Sequence, residues 1–251
     1  MKHILCSLLF MAITTVTFSQ DFEVIFTSGE FEPFVSESMP GYGMVSEIVT
    51  AACKESGIKP IYKFYPWVRT EANVKNGESF AAFPYFKTSE REKLFDYSDP
   101  LFYGEDKIFY YGNNPKITEK TLKYKNLADL KEYNFGGVRG YYYEKDFEEN
   151  KIKFSPTIDI HQSFDHLKSG KIDLIIENEN VTNQIIKKYY PADEKNFKTL
   201  EKSYGEKRLY YLIVSRKYKN SNEILQKFNK GLKKIKTNGQ YDKIIKKYQL
   251  N

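Results

Sequence analysis

The chain has 251 residues and a formal net charge of +6, and aromatic residues make up 16% of it. Its lysines are interspersed with acidic residues instead of forming a stripe, which argues against a nucleic-acid-binding protein. Of its two cysteines only Cys53 lies beyond the N-terminal segment described next, so we expect a mature chain that folds without an internal disulfide.

The N-terminus has the pattern of a secretory signal peptide. A basic start precedes an apolar stretch over residues 4–18, and Ser19-Gln20 then offers a small residue before a polar one. The stretch is too short for a membrane-spanning helix, and no later segment is apolar enough to be one. We therefore predict a signal peptide over residues 1–20 and an exported, soluble mature chain. A retained anchor or a buried N-terminal strand is the alternative.

Hydrophobic periodicity in the first half of the mature chain alternates between strand and helix. Apolar residues recur at helical spacing from Val45 to Ala52, and Gly57 ends that helix. Around it, the pattern predicts strands at 24–27, 61–64 and 80–83 and a further helix at 67–75. This alternation is typical of a parallel α/β unit.

The same order of elements recurs further along the chain. The sequence predicts strands at 107–111, 135–138 and 172–176 and helices at 127–130 and 159–168. The Gly112–Pro115 cluster breaks the chain after the first of these strands. A strand at 209–215 and helices at 222–236 and 241–248 then close the chain. We infer two halves that are built alike.

One motif predicts a site for a small anion. Thr88-Ser89-Glu90-Arg91 follows a predicted buried strand and has the pattern of a helix start. It would lie at the carboxyl end of that strand, where open α/β sheets bind ligands. There the Arg91 guanidinium and free backbone N–H groups can both face a carboxylate. The alternative is an exposed Arg in the first turn of a helix.

Five blocks of sequence resemble, in this order, the periplasmic solute-binding proteins of the type II fold, in the polar amino-acid uptake group called family 3. The most specific block is Thr88–Arg91 with Phe95–Pro100, similar to the family's Thr-x-x-Arg and Phe-Ser-x-Pro pattern. The other blocks are Phe31–Phe34, Gly43–Ile48, Ser169–Asp173 and the closing helices around Asn238–Tyr241. Tyr65–Arg69 also resembles a divergent branch with a Pro-Trp-x-Arg helix start.

This resemblance implies an α/β, two-lobe periplasmic-binding-protein-like type II fold. Each lobe would be a mixed, mostly parallel sheet flanked by helices, and two crossing strands would join lobes that close on a ligand by hinge motion. We expect lobe 1 to comprise residues 21–111 and 208–251, and lobe 2 to comprise residues 112–207. The Gly112–Pro115 and Tyr204–Glu206 stretches suit the two crossings.

The resemblance also implies roles for residues of lobe 1. Arg91 falls on the arginine that clamps the ligand's α-carboxylate, a role for which its fork of N–H donors is suited, and Thr88 belongs to the same motif. Phe31 and Trp67 fall on pocket aromatics, with core packing as the alternative for both. We expect Tyr85 to join them in sandwiching the ligand.

In lobe 2, the resemblance places Arg139-Gly140-Tyr141-Tyr142 on the turn whose backbone N–H groups reach the same carboxylate. Arg139 is either a second anion contact or merely exposed. Where the family usually has an Asp for the ligand's ammonium, the chain has Asn178 with Glu177 before it. A neutral Asn weakens that contact unless a neighbouring Glu takes it over. The amine end of the predicted site is therefore open.

Together these features predict a periplasmic, monomeric solute-binding protein that captures a small carboxylate-bearing solute and delivers it to an ABC-type membrane permease. We expect no catalysis, cofactor or metal, because the sequence has no Cys/His cluster typical of zinc and no Gly-x-Ser-x-Gly motif. Two alternatives stay open. One is a free-standing sensor that docks to a membrane protein, and the other is a small dehydratase-type enzyme on the same fold, with Glu177 or Glu179 as its acid.

Overall fold

The computed structural model describes residues 22–112 and 114–248. The predicted signal peptide therefore lies outside the described residues. The described part of the chain forms two β-sheets flanked by helices, as the alternating pattern predicts. No helix within it is both long and apolar enough to cross a membrane.

The helices and strands of the described residues follow the predicted order, with several additional short elements. The strands are β1 (Phe22–Ser28), β2 (Ile58–Phe64), β3 (Ala81–Tyr85), β4 (Phe95–Tyr97), β5 (Phe102–Gly104), β6 (Asp106–Tyr111), β7 (Asn134–Val138), β8 (Lys153–Thr157), β9 (Leu174–Asn178), β10 (Phe197–Thr199) and β11 (Arg208–Ser215). The α-helices are α1 (Met44–Lys54), α2 (Trp67–Asn76), α3 (Ser89–Leu94), α4 (Glu119–Leu122), α5 (Glu144–Glu149), α6 (Ile160–Lys168), α7 (Glu179–Tyr189), α8 (Ser221–Thr237) and α9 (Gln240–Tyr248).

The first sheet belongs to lobe 1 and has the order β2-β1-β3-β11-β4, with β5 also paired to β11. Strand β1 runs parallel to β2 and β3, as expected for strands joined by helices. Strand β11 is antiparallel to β3, with Tyr211 opposite Tyr85. This pairing places the carboxyl end of β3, which leads to Arg91, beside the strand that returns from the other lobe.

The second sheet belongs to lobe 2 and has the order β10-β6-β9-β7-β8. Strand β7 is parallel to β8 and β9, whereas β6 is antiparallel to β9 and β10 is antiparallel to β6. Both sheets are thus mixed, as expected. The strands around β1 and β7 are parallel to their neighbours, whereas those around β11 and β6 are antiparallel. The antiparallel side of each sheet contains a strand that follows a crossing between the lobes.

The chain first crosses between the lobes earlier than the sequence predicts. Strand β5 pairs with β11 in the first sheet and β6 pairs with β9 in the second, so the crossing falls at Glu105. The predicted boundary after residue 111 is therefore wrong, and β6 belongs to lobe 2. The Gly112–Pro115 breaker lies at the far end of β6, because such a cluster ends a strand whether or not the chain changes lobes. The return crossing, between β10 and β11, does contain the predicted Tyr204–Glu206 stretch.

Helices α1 and α8, both in lobe 1, pack closely against each other. The predicted apolar stripe of α8 is buried: Ile224, Leu225, Phe228, Leu232 and Ile235. Gly231 lies at the contact with α1, where an added Cβ would be 2.0 Å from the Ala52 carbonyl oxygen. Ser56 strengthens the same contact, because its hydroxyl donates to the Lys227 carbonyl across 2.7 Å.

We predict that Gly231→Ala lowers the free energy of unfolding by about 2 kcal/mol or more, even though Ala is the better helix former. The physical reason is that the backbone of α1 must move to admit the new methyl group. Chemical denaturation measures the effect, and the exposed neighbour Lys230→Ala is the matched control. An unchanged or raised stability of Gly231→Ala would contradict this close approach of the two helices.

Candidate functional site

A cavity of about 50 Å³ lies between the two lobes. It has room for only a few water molecules, so a larger guest requires the lobes to separate. Eight of the predicted site residues line it: Phe31, Trp67, Tyr85, Arg91, Gly140, Tyr141, Tyr142 and Glu177. Its other lining residues, which the sequence did not single out, are Pro84, Phe86, Asp106, Tyr143, Ile176 and Tyr210. We call this space the interlobe cavity.

Arg91 lies in the wall of the interlobe cavity with only 9% of its surface exposed. Thr88 begins helix α3 as predicted, because its hydroxyl oxygen accepts from the Arg91 backbone N–H across 3.2 Å. With six residues, α3 is a short helix, and the guanidinium itself is the group that lines the cavity. The first-turn position that the sequence predicts for Arg91 is confirmed, and the side chain is not exposed.

A carboxylate of the protein holds one edge of this guanidinium. Glu71 Oε2 on α2 lies 3.0 Å from Arg91 Nε and 2.9 Å from Nη2. The Tyr85 ring centroid lies 4.7 Å from Arg91 Cζ, so the ring supports the plane of the guanidinium. Of the five N–H donors of an arginine, Glu71 uses two along one edge, which leaves the other edge for a guest carboxylate.

Aromatic rings from both lobes meet around the cavity. The Trp67 ring makes edge-to-face contacts with Phe31 at 6.3 Å, with Tyr85 at 5.6 Å and, across the cleft, with Tyr141 at 6.1 Å between centroids. The ring centroids of Tyr210 and Phe86 lie 4.0 Å apart. These aromatic rings therefore surround the cavity, and the contact between Trp67 and Tyr141 joins the two lobes.

The Gly140 turn in lobe 2 reaches the cavity, but its backbone donor is already engaged. Gly140 has a φ of +87°, which favours glycine. Its N–H donates to Glu144 Oε1 across 2.6 Å, so the predicted contact of this N–H with a ligand carboxylate is not available in this closed form. Arg139 is exposed and is not among the residues that line the cavity. Of its two predicted roles, the exposed one agrees with the structure.

Asn178, expected where the family has an Asp, serves instead as the N-cap of α7. Its side-chain oxygen accepts from the backbone N–H groups of Asn180 and Val181, and its Nδ2 donates to the Glu105 carbonyl across 3.3 Å. The residue is 1% exposed and does not line the interlobe cavity. The structure therefore contradicts a ligand contact for Asn178, because the helix start and the crossing at Glu105 use its amide group.

Two buried carboxyl groups lie at the lobe 2 side of the cavity instead. Asp106 is 5% exposed and Glu177 is 6% exposed, on the neighbouring strands β6 and β9. Burial raises the pKa of Asp106 to about 6, although the Tyr142 hydroxyl donor and the Arg208 charge oppose this. Burial also raises the pKa of Glu177 well above its usual range. The Asn178 N–H, which donates to Glu177 Oε1 across 2.8 Å, opposes this shift only in part.

An open groove of about 930 Å³ runs beside the cavity, between α2 and α3 of lobe 1 and α5 of lobe 2. We call it the side groove. It shares Arg91, Gly140, Tyr141 and Tyr142 with the interlobe cavity, and Thr88 lines the groove only. Ion pairs fasten the lobes at two margins: Lys145 with Glu90, and Lys188 with Glu32 at 3.1 Å. Within residues 22–112 and 114–248, no cluster of three or more His, Cys, Asp or Glu side chains could hold a metal ion.

Comparison with known proteins identifies the class. Residues 24–251 match the bacterial extracellular solute-binding proteins, family 3, and the chain belongs to that family. A probable histidine-binding protein of Neisseria gonorrhoeae is 26% identical over 232 residues, which cover 88% of this chain and 81% of that protein. The family resemblance predicted from the sequence is thus confirmed.

Solved structures confirm the type II two-lobe fold. An ancestral arginine-binding protein bound to arginine has a TM-score of 0.75 at 24% identity, covering 91% of this chain and 98% of that one. The ancestral amino acid-binding protein AncCDT-1, a precursor of cyclohexadienyl dehydratase, has a TM-score of 0.72 at 20% identity, covering 90% and 94%. At these identities the likeness establishes the fold alone.

We predict that Glu177→Gln stabilises the empty protein at pH 7 by on the order of 1 kcal/mol or more. A carboxyl whose pKa is raised by folding binds its proton more tightly in the native state. Such a carboxyl therefore destabilises the native state as the pH rises above its pKa in the unfolded chain, which is about 4.3 for Glu. The advantage of Glu177→Gln should shrink as the pH is lowered towards 4.

Urea denaturation at several pH values measures this difference. Glu179→Gln is the matched control, because Glu179 follows two residues later, is half exposed and pairs with Lys107 at 2.9 Å. A loss of stability in Glu177→Gln at pH 7, or a gain that does not depend on pH, would show that Glu177 has a structural partner.

Proposed function

We propose that this chain is a non-catalytic periplasmic receptor that acts as a monomer. It captures a small carboxylate-bearing solute, an amino acid or a related organic acid, between its two lobes and delivers it to an ABC-type permease. Membership of an extracellular solute-binding family supports binding and export. The names of relatives, which include histidine-, cystine- and arginine-binding proteins, favour an amino acid.

The observation that carries the proposal is the buried Arg91 guanidinium in the wall of the interlobe cavity. Glu71 fixes its orientation from one edge, so the guest carboxylate takes the other edge without reorganising the side chain. The rings of Phe31, Trp67 and Tyr85 then enclose the apolar part of the guest. Closure of the lobes removes water from the new charge pair and strengthens it.

A second candidate function is catalysis, and one observation favours it. Asp106, with a pKa raised to about 6, and Glu177 line the same cavity, and carboxyls tuned towards neutral pH serve as general acids and bases. Incubation of the protein with each solute that binds, followed by mass spectrometry, distinguishes the two functions. A receptor returns the solute unchanged, and an enzyme converts it.

We predict that a thermal-shift screen of the mature chain against amino acids, organic acids and amines gives its largest shift with a solute that carries a carboxylate. At 100 times Kd, mass action stabilises the protein by about 2.7 kcal/mol. Arg91→Ala should abolish this shift, and Arg91→Lys should reduce it because an ammonium lacks the planar fork.

Arg69→Ala, on the exposed side of α2, is the matched control and should keep the full shift. Circular dichroism of the unliganded variants confirms that each is folded. A best solute that lacks an anionic group, with a shift that survives Arg91→Ala, would contradict the proposal.

A further inference from the structure

The cleft of this protein has the opposite sign of charge from the chain as a whole. The chain carries a net charge of +6. The interlobe cavity is lined by one basic residue, Arg91, and by two carboxyl groups, Asp106 and Glu177. The side groove is lined by the acids Glu71, Glu90, Glu144, Asp146, Glu148 and Glu149 and by the bases Lys75, Arg91 and Lys145. Six acids against three bases leave an excess of negative charge along the route into the cavity.

Glu177 is a buried carboxyl with few partners among the residues that the structure describes. Its one hydrogen bond given by the described residues comes from the adjacent backbone N–H of Asn178. The neighbouring side chains that interact with it in the interlobe cavity are those of Tyr141, Tyr143 and Tyr210, and none of them carries a positive charge. The strand neighbour Lys107 pairs with Glu179 instead.

Asp106 is only partly compensated. It accepts a hydrogen bond from the Tyr142 hydroxyl, and Glu105 adds a further negative charge nearby. Arg208 is the cation that acts on it, but its guanidinium lies over the Tyr142 ring, with Cζ 4.6 Å from the ring centroid. No ion pair to either Asp106 or Glu177 forms within the part of the chain that the structure describes.

We infer that the solute carries a net positive charge and that a cationic group of it binds between Glu177 and Asp106, while its carboxylate binds Arg91. This inference rests on the proposed function and narrows its substrate class. Glu71 already balances Arg91, so a guest carboxylate adds negative charge to a cavity that has two further carboxyls. A zwitterion supplies one positive charge, which offsets only its own carboxylate. A second cationic group on the guest favours the ionised forms of Asp106 and Glu177, whose pKa values burial raises in the empty protein.

The surrounding rings suit such a guest. An ammonium or guanidinium over the face of Trp or Tyr gains cation–π attraction, which grows when water is excluded. Trp67, Tyr141 and Tyr210 line the same cavity as the two carboxyls. The acidic side groove, which shares Arg91 with the cavity, raises the local concentration of cations before the lobes close.

A factorial set of ligands tests the inference by isothermal titration calorimetry. L-Arginine carries the carboxylate and a side-chain cation, L-citrulline has nearly the same shape without that cation, and agmatine keeps the cation without the carboxylate. L-Lysine with L-norleucine, and L-glutamate as the anionic member, extend the set. We expect a basic amino acid to bind at least about 30-fold more tightly than its neutral counterpart, as for a charged hydrogen-bonded pair.

Glu177→Gln should remove most of this preference, since the amide keeps the shape of the carboxyl but not its charge. Glu179→Gln is the matched control and should keep the preference. Because the pKa of Asp106 is about 6 and that of Glu177 is raised, both carboxyls gain charge as pH rises. Affinity for the basic amino acid should therefore increase between about pH 5 and 7.5, with proton release on binding.

The outcomes separate the inference from the proposed function. If L-citrulline, L-norleucine or L-glutamate binds as tightly as the basic amino acids, or if Glu177→Gln keeps the preference, the net-cation inference is overturned while a carboxylate receptor stands. If agmatine binds as tightly as L-arginine, the carboxylate proposal fails while the cation site stands. Absence of binding by every member of the set overturns the net-cation inference, and the wider screen then decides the proposed function.

Discussion

The ion pair between Arg91 and Glu71 is the interaction on which the binding cleft depends. A buried guanidinium without a partner costs several kcal/mol, so an empty receptor that keeps one ready for a ligand must balance it internally. Glu71 does so from one edge only, with both of its contacts made through Oε2. The opposite edge of the guanidinium stays available, and the Tyr85 ring keeps its plane fixed. In the proposed function, the ligand carboxylate occupies the edge of the guanidinium that Glu71 leaves unused.

The position of the carboxyl groups links the site to the hinge. Asp106 is the residue directly after the crossing at Glu105, and Asn178, opposite it on β9, binds the Glu105 carbonyl. In the proposed binding mode, a guest held between Arg91 in lobe 1 and these carboxyls in lobe 2 connects the two lobes close to the crossing at Glu105. The aromatic contacts across the cleft, Trp67 with Tyr141 and Phe86 with Tyr142, add apolar area to closure without fixing the charge of the guest.

Local patterns predicted the start of α3 at Thr88 and the first-turn position of Arg91, because a cap residue, a helix start and a buried strand follow one another there in the sequence. The lobe 2 side depended on long-range register. Sequence alone does not say whether Asn178 caps a helix or faces the cleft, since Asn is suited to both. Asp106 was missed because its place in the cavity follows from where the chain changes lobes, and the stronger breaker at Gly112 drew the boundary to the wrong end of β6. The short edge strands β8 and β10 were missed because each contains Lys and little apolar alternation.

The central claim is that Arg91 receives the negative end of the guest inside the closed cleft. A crystal structure of the protein with the solute that stabilises it most tests this claim directly. The account predicts carboxylate oxygens within about 3 Å of the Arg91 nitrogens that Glu71 leaves unused, with the lobes closed around the solute. A solute that lies outside the cleft, or whose anionic group binds elsewhere while Arg91 contacts Glu71 alone, would contradict it.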